Sequence, residues 1–176
     1  MKFVLSLPLL ALLASCSPKI PFTQQIREQN KLTPEEIKGI QFYLSDPVAL
    51  RRGEEDASKK STEQGTLVIE RGRSLDQISF RANTPGAVEG VVDQSTLKVA
   101  FEDGPENYLV FGSSRNRSGY YALQAFSWED GRGKINYGGK TWYTNRGSDQ
   151  AILMFKMKSI KRLRINDKVA KGKKVR

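Results

Sequence analysis

After Gly65, apolar residues recur at every second position, in short runs separated by turn residues. The clearest turns are Asn83-Thr84-Pro85-Gly86, Glu102-Asp103-Gly104-Pro105 and Asn116-Arg117-Ser118-Gly119. The alternating apolar positions are Leu67 and Ile69, Ile78 and Phe80, Leu97, Val99 and Phe101, Leu109 and Phe111, and Tyr121, Leu123 and Ala125. Short strands with this spacing, and no helical segments between them, predict a mainly β fold, an antiparallel barrel or sandwich.

One hairpin is predicted residue by residue over 134–143. Gly138-Gly139 at its centre can adopt the positive φ angles that a two-residue type I′ turn requires. The expected cross-strand pairs are Tyr137 with Lys140, Ile135 with Trp142, and Lys134 with Tyr143. Because side chains alternate along a strand, Ile135, Tyr137 and Trp142 should share the core face.

A short helix is predicted before the strands. Thr33 suits the N-cap, Pro34 the first helical position, and Glu36 the closing residue of a capping box. Ile37, Ile40 and Leu44 follow at helical spacing, so we expect a helix over residues 34–44. Residues 48–51 and 151–157 are further candidate strands, and the β-rich domain is expected to cover residues 33–165.

The chain begins with a different pattern. Lys2 precedes an apolar run over residues 3–13 that ends in Leu13-Ala14-Ser15-Cys16. The run is shorter than the roughly 20 apolar residues that a membrane-spanning helix needs, and its layout is typical of a secretory signal peptide, here residues 1–15. The ending resembles the lipobox of bacterial lipoproteins, Leu-(Ala/Ser)-(Gly/Ala/Ser)-Cys, at all four positions.

The lipobox resemblance implies cleavage before Cys16, a diacylglyceryl group on the Cys16 sulfur and, usually, a further acyl chain on its amine. Two or three acyl chains anchor a protein durably in a membrane. Ser17 is not the aspartate that favours retention in the inner membrane, so the resemblance implies the outer membrane, with the periplasmic face expected. Residues 16–32, which include Pro18 and Pro21, are interpreted as the lipidated cysteine and a tether.

The net charge of +10 is concentrated at the C-terminus. Residues 156–176 hold ten Lys and Arg against Asp167 alone, whereas residues 16–155 hold 18 of each sign. The residues expected to bind an anionic partner are Lys161, Arg162, Arg164, Lys168, Lys171, Lys173, Lys174 and Arg176. The alternative is that Lys156, Lys158 and Lys161 protect an edge strand, while residues 171–176 of the basic tail at 166–176 are a solvated, disordered end.

The residue inventory excludes several kinds of chemistry. The chain contains no histidine and one cysteine, which removes a Ser-His-Asp triad and zinc sites built on His or Cys. Ser95-Thr96-Leu97-Lys98 matches the Ser-x-x-Lys motif of penicillin-binding enzymes, but it lies in a strand-like alternation and lacks the Lys-Thr-Gly partner. The paired carboxylates Glu102-Asp103 and Glu129-Asp130 each precede a glycine, which is typical of turns.

Six tyrosine and tryptophan residues cluster between positions 120 and 143. Most of them are expected to pack in the core or in cross-strand pairs. Tyr120 and Tyr143 are predicted to point outward, where they could form a surface platform for a glycan or a protein.

We therefore expect a non-enzymatic, lipid-anchored envelope lipoprotein with a binding or structural role. Its partner would be an envelope protein, peptidoglycan or anionic lipid, and no cofactor or metal is expected. Nucleic acid, the usual partner of such a basic run, is disfavoured by the compartment. The alternative is a hydrolase or ligand carrier that acts on an envelope glycan or lipid.

Overall fold

A computed structural model describes residues 17–52, 76–113 and 118–165. Cys16, the alternating pair Leu67 and Ile69, and the basic tail at 166–176 lie outside the described residues. The strands are β1 (Lys19–Pro21), β2 (Phe42–Leu44), β3 (Val48–Arg52), β4 (Asp76–Phe80), β5 (Pro85–Val91), β6 (Thr96–Ala100), β7 (Tyr108–Ser113), β8 (Tyr121–Leu123), β9 (Ser127–Glu129), β10 (Arg132–Tyr137), β11 (Lys140–Thr144) and β12 (Leu153–Lys156). The helices are α1 (Gln24–Gln29), α2 (Pro34–Lys38) and α3 (Met157–Ile165), with a 3-10 turn at Ser148–Gln150.

The strands form two antiparallel sheets. One has seven strands in the order β1-β12-β2-β5-β6-β7-β8, and the other has five in the order β4-β3-β11-β10-β9. The buried apolar side chains of both sheets join in one core cluster. The mainly β prediction is confirmed, and of its two forms the sandwich fits, because the sheets do not close into a barrel.

The predicted hairpin is confirmed in its turn and its register. Gly138 and Gly139 have φ angles of 55° and 69°, and β10 and β11 pair Tyr137 with Lys140, Ile135 with Trp142 and Lys134 with Tyr143. Ile135, Tyr137 and Trp142 are buried. The Trp142 indole N–H donates to the Tyr137 carbonyl oxygen at 2.9 Å, which satisfies the one polar group of that ring inside the core.

The predicted helix over residues 34–44 is only partly right. Thr33 and Glu36 form the expected capping box, with the Glu36 N–H donating to Thr33 Oγ1 and the Thr33 N–H donating to Glu36 Oε2. The helix nevertheless ends at Lys38, with Gly39 as its C-cap. Residues 42–44 form β2, where Phe42 and Leu44 are buried on one face and Tyr43 points to the other. The apolar spacing that suggested one long helix is therefore shared between a helix and a strand.

The predicted tether is wrong for residues 19–32. Lys19–Pro21 pair with β12 at the edge of the seven-stranded sheet, and α1 follows with Thr23 as its N-cap. Phe22 is fully buried, with its ring 5.0 Å from those of Phe42 and Tyr121 between centroids. Residues 19–32 therefore belong to the described fold, because the burial of Phe22 and the pairing of β1 outweigh the local signal of two prolines.

The C-terminal strand is shorter than predicted. It covers Leu153–Lys156 instead of residues 151–157, and α3 begins at Met157. The strand lies between β1 and β2, so the interpretation of Lys156 as a charge that protects an edge strand is also wrong. Ile160 is buried, and Leu163 packs close to Gly39, where a side chain would come within 3.0 Å of the leucine.

Candidate functional site

The two ends of the described domain meet at one corner of the seven-stranded sheet. Lys19, the first residue of β1, is the register partner of Lys156, the last residue of β12. Lys19 lies three residues after Cys16 in the sequence, and Met157 starts α3 directly after Lys156. The start of β1 and the start of α3 are therefore adjacent at this corner.

Two lysine ammonium groups share one aromatic ring at this corner. Lys19 Nζ lies 3.9 Å from the centroid of the Tyr43 ring, and Lys156 Nζ lies 5.8 Å from the same centroid. Lys19 also donates to Asn83 Oδ1 at 2.8 Å. No ion pair joins Lys19 or Lys156 to a described carboxylate, so these contacts hold the two lysines without one. Like charges on directly opposed strand positions repel, and the electron-rich ring face offsets part of that repulsion.

An apolar row runs across four strands beside the lysines. Register pairs join Pro21 to Met154, Met154 to Tyr43, and Tyr43 to Pro85. These side chains point away from the core, because the residues that flank Tyr43 and Met154 along their strands are buried, and all four are at least partly exposed. We call this surface the Tyr43 face and define it as Lys19, Pro21, Tyr43, Pro85, Met154 and Lys156.

Helix α3 extends the cationic surface. Lys158, Lys161 and Arg162 are exposed on it, while Ile160 on its other side is buried. Arg164 belongs to the same helix, but its side chain is not among the described ones. The other predicted anion-binding residues, Lys168, Lys171, Lys173, Lys174 and Arg176, lie outside the described residues.

A buried polar cluster fixes α1, and with it the end of β1, to the seven-stranded sheet. Arg27 is only 8% exposed, and its guanidinium donates to Tyr121 Oη at 2.9 Å and to the Asp93 carbonyl oxygen at 3.3 Å. The Tyr121 hydroxyl donates to Gln24 Oε1 at 2.6 Å. Burial raises the pKa of the Tyr121 hydroxyl, opposed by the hydrogen bond from Arg27. The cluster therefore holds the end of β1, and with it one edge of the Tyr43 face, in a fixed position on the sheet.

Tyr143 and Tyr120 occupy different parts of the sandwich. Tyr143 is half-buried in β11, between Arg51 and Lys134 in the register. Arg51 and Lys134 pair in turn with Gln77 and Ser127, which completes a polar row across the outer face of the five-stranded sheet. Tyr120 instead bridges Thr23, next to the end of β1. The register gives the two tyrosines no common strand pair, so a joint platform stays a prediction.

The candidate catalytic groups each have a structural contact. Ser95 Oγ donates to Asp93 Oδ1 at 2.9 Å, and Lys98 Nζ lies 4.6 Å from the centroid of the Tyr108 ring. The Ser95 backbone N–H also bonds Asp93 and lowers the pKa of its carboxyl. Leu97 is fully buried in β6, as the strand interpretation of this motif predicts.

The two carboxylate pairs lie at strand ends. Glu102 accepts a hydrogen bond from the Tyr137 hydroxyl at 2.8 Å, and the Asp103 carbonyl oxygen accepts one from the Asn107 amide. Glu129 ends β9, and Asp130 has a positive φ of 48° in the turn to β10. These positions agree with the prediction of turns at both glycine-adjacent pairs.

Sequence reasoning missed Lys19, Tyr43 and Met154 as surface residues of one face. An alternation at Leu153 and Phe155 would have placed Met154 and Lys156 outward, but no local signal pairs residues from opposite ends of the chain. Within residues 17–52, 76–113 and 118–165, no group of three or more His, Cys, Asp or Glu side chains could hold a metal ion.

Comparisons with known proteins do not assign the chain to a family. No protein-family model, curated protein sequence or solved structure matches this chain. In the described part of the chain, none of the helices combines the length and the apolar character needed to cross a bilayer.

Proposed function

We propose that the protein is a lipid-anchored lipoprotein of the bacterial outer membrane that faces the periplasm and serves as a non-enzymatic binding or structural component. Cys16 would carry the lipid, and the basic C-terminal segment would form the binding surface. Anionic lipid, peptidoglycan carboxylates and an acidic envelope protein all have the charge that this segment would attract.

The observation that carries the proposal is the exposure of the cations on α3. Lys158, Lys161 and Arg162 point to solvent from a helix whose apolar side is packed against the domain, and the sequence continues into further Lys and Arg after Asp167. A folded helix holds its charges in one place, so a partner need not order them on binding. Each such charge is worth about 1 kcal/mol near an anionic membrane surface.

The anchor and the binding surface are tested separately. For the anchor, Cys16→Ala should abolish the mass increase of the N-terminal peptide expected for acylation and release the chain from outer-membrane fractions. An unmodified Cys16 in the wild-type chain would overturn the lipoprotein part of the proposal.

For the binding surface, we would reconstitute the lipidated chain into neutral vesicles and measure amine-reactive labelling of individual lysines by mass spectrometry. Addition of purified peptidoglycan, or replacement of part of the lipid by phosphatidylglycerol, should slow labelling of Lys161, and high salt should restore it. Lys134 on the five-stranded sheet is the internal control. Unchanged labelling of Lys161 under both conditions would contradict electrostatic docking by this segment on lipid or peptidoglycan.

A further inference from the structure

We infer that the Tyr43 face rests on the surface of the anchoring membrane and that its ligand is the anionic bilayer surface itself. The inference depends on the proposed lipidation of Cys16, and it selects anionic lipid from the partners considered above. It places the domain directly on the membrane, in contrast to the tether that the sequence predicted.

The first argument is reach. Three residues of fully extended chain span at most about 11 Å, so lipid on Cys16 would hold Lys19 within about that distance of the anchor. Because Lys19 pairs with Lys156 across two hydrogen-bonded strands, whose opposed Cα atoms lie about 5 Å apart, the second lysine would lie within about 16 Å of the anchor. Both distances are upper limits, and a less extended linker would bring the two charges within reach of an anionic surface, whose field decays over a Debye length of about 8 Å at physiological salt.

The second argument is the chemistry of the Tyr43 face. Tyrosine is enriched at membrane–water interfaces, where its ring is apolar and its hydroxyl is hydrated. Lysine side chains can lie along apolar surface while their ammonium groups reach headgroups. The row of Pro21, Met154 and Pro85 beside Tyr43 supplies apolar surface next to the two ammonium groups. An interfacial surface needs this combination of apolar area and positive charge.

The third argument is that no described carboxylate neutralises the charge of the lysine pair. Lys19 and Lys156 share one ring and oppose each other in the register, and no described carboxylate forms an ion pair with either. A phosphate group between them would relieve their repulsion. Helix α3 then adds Lys158, Lys161 and Arg162 directly after the same corner.

The test uses the lipidated full chain in vesicles, with one introduced cysteine as a probe. The only native cysteine, Cys16, would be blocked by lipid, so Pro85→Cys or Thr141→Cys gives a single labelling site. Both positions are exposed, Pro85 on the Tyr43 face and Thr141 on the outer face of the five-stranded sheet. Each variant carries an environment-sensitive fluorophore, in vesicles of phosphatidylcholine with or without phosphatidylglycerol.

We expect the label at position 85, but not the one at 141, to shift to the blue and to be quenched by lipid-borne quenchers in phosphatidylglycerol vesicles. High salt should reduce both effects. Equal exposure of the two labels to water in chains that float with the vesicles would overturn the inference while leaving the lipoprotein proposal standing. Failure to float would contradict lipidation instead.

A charge variant sharpens the test. Lys19→Gln with Lys156→Gln should lower the ratio of membrane-contacting to free label about 25-fold, about fivefold per lysine. Lys19→Arg with Lys156→Arg keeps the charge and should retain contact. The matched control, Lys134→Gln with Lys140→Gln, removes the same charge from the other sheet and should change the ratio little. Equal losses in the two glutamine variants would mean that net charge, and not the Tyr43 face, drives the contact.

Discussion

The two sheets use a phenylalanine beside an edge strand in opposite ways. At the edge of the seven-stranded sheet, β1 is followed by Phe22, which is fully buried. At the edge of the five-stranded sheet, β9 is preceded by Phe126, which is 80% exposed. The phenylalanine at the first edge thus packs in the core, whereas the one at the second edge lies mainly in solvent. The start of the domain cannot be detached without a loss of core packing, which makes the position of Lys19 a fixed feature of the fold.

The largest expected effect tests this contrast between the two phenylalanines directly. Phe22→Ala should destabilise the domain by about 3–5 kcal/mol, because it leaves a cavity among Phe42, Tyr121 and Phe155. Phe126→Ala should change stability by less than about 0.5 kcal/mol, as exposed substitutions usually do. Urea unfolding monitored by tryptophan fluorescence measures both. A Phe22 variant as stable as the Phe126 variant would mean that residues 19–22 act as a tether after all.

The next prediction concerns the hairpin turn of the five-stranded sheet. Gly139→Val should cost about 1–2 kcal/mol, because L-residues are strained at its φ of 69°. Gly139→Asn introduces a Cβ at the same place, 3.3 Å from Glu106 Oε2, but asparagine tolerates this conformation far better. In the same urea experiment, the free energy of unfolding should therefore fall from the wild type to the asparagine variant and again to the valine variant. Equal losses in both variants would assign the cost to the Glu106 contact and not to backbone strain.

The difference between the two edges also explains what could be predicted from the sequence. The β10–β11 hairpin is a local structure, since Gly138-Gly139 sets both the turn and the register. The capping box at Thr33 is local for the same reason. Residues 19–22 become structured only through partners in β2, β8 and β12, which are distant in sequence. The prolines that flank Lys19 and Ile20 indicated a linker, and no local rule outweighed them.

The candidate site divides in the same way. The exposed cations Lys161 and Arg162 could be selected from charge alone, although the helix that carries them was missed. The Tyr43 face depends on the pairing of β1 with β12 and of β12 with β2, so sequence reasoning could not assemble it. Charge density identifies candidate residues, while the strand order decides which of them act together.

The smallest predicted effect compares one buried tyrosine in each sheet. Burial raises the pKa of both Tyr121 and Tyr137. The hydrogen bond to the Glu102 carboxylate raises the pKa of Tyr137 further, whereas the Arg27 guanidinium opposes the rise at Tyr121. A raised pKa means that the folded state holds the phenolic proton more tightly than the unfolded state does. Stability is therefore full below the unfolded pKa of about 10 and falls as the pH rises above it.

Urea unfolding between about pH 9 and pH 11 separates the two tyrosines, since this window brackets the unfolded tyrosine pKa. Tyr137→Phe should remove more of the alkaline loss of stability than Tyr121→Phe, because the Tyr137 hydroxyl donates to a carboxylate, whereas the Tyr121 hydroxyl accepts a hydrogen bond from the Arg27 guanidinium. All other side chains are the same in the three chains, so their contributions cancel in the comparison with the wild type. A steeper contribution from Tyr121 would mean that Arg27 does not offset burial at that site. The contact of α1 with the seven-stranded sheet would then depend on the neutral form of the Tyr121 hydroxyl, which donates to Gln24.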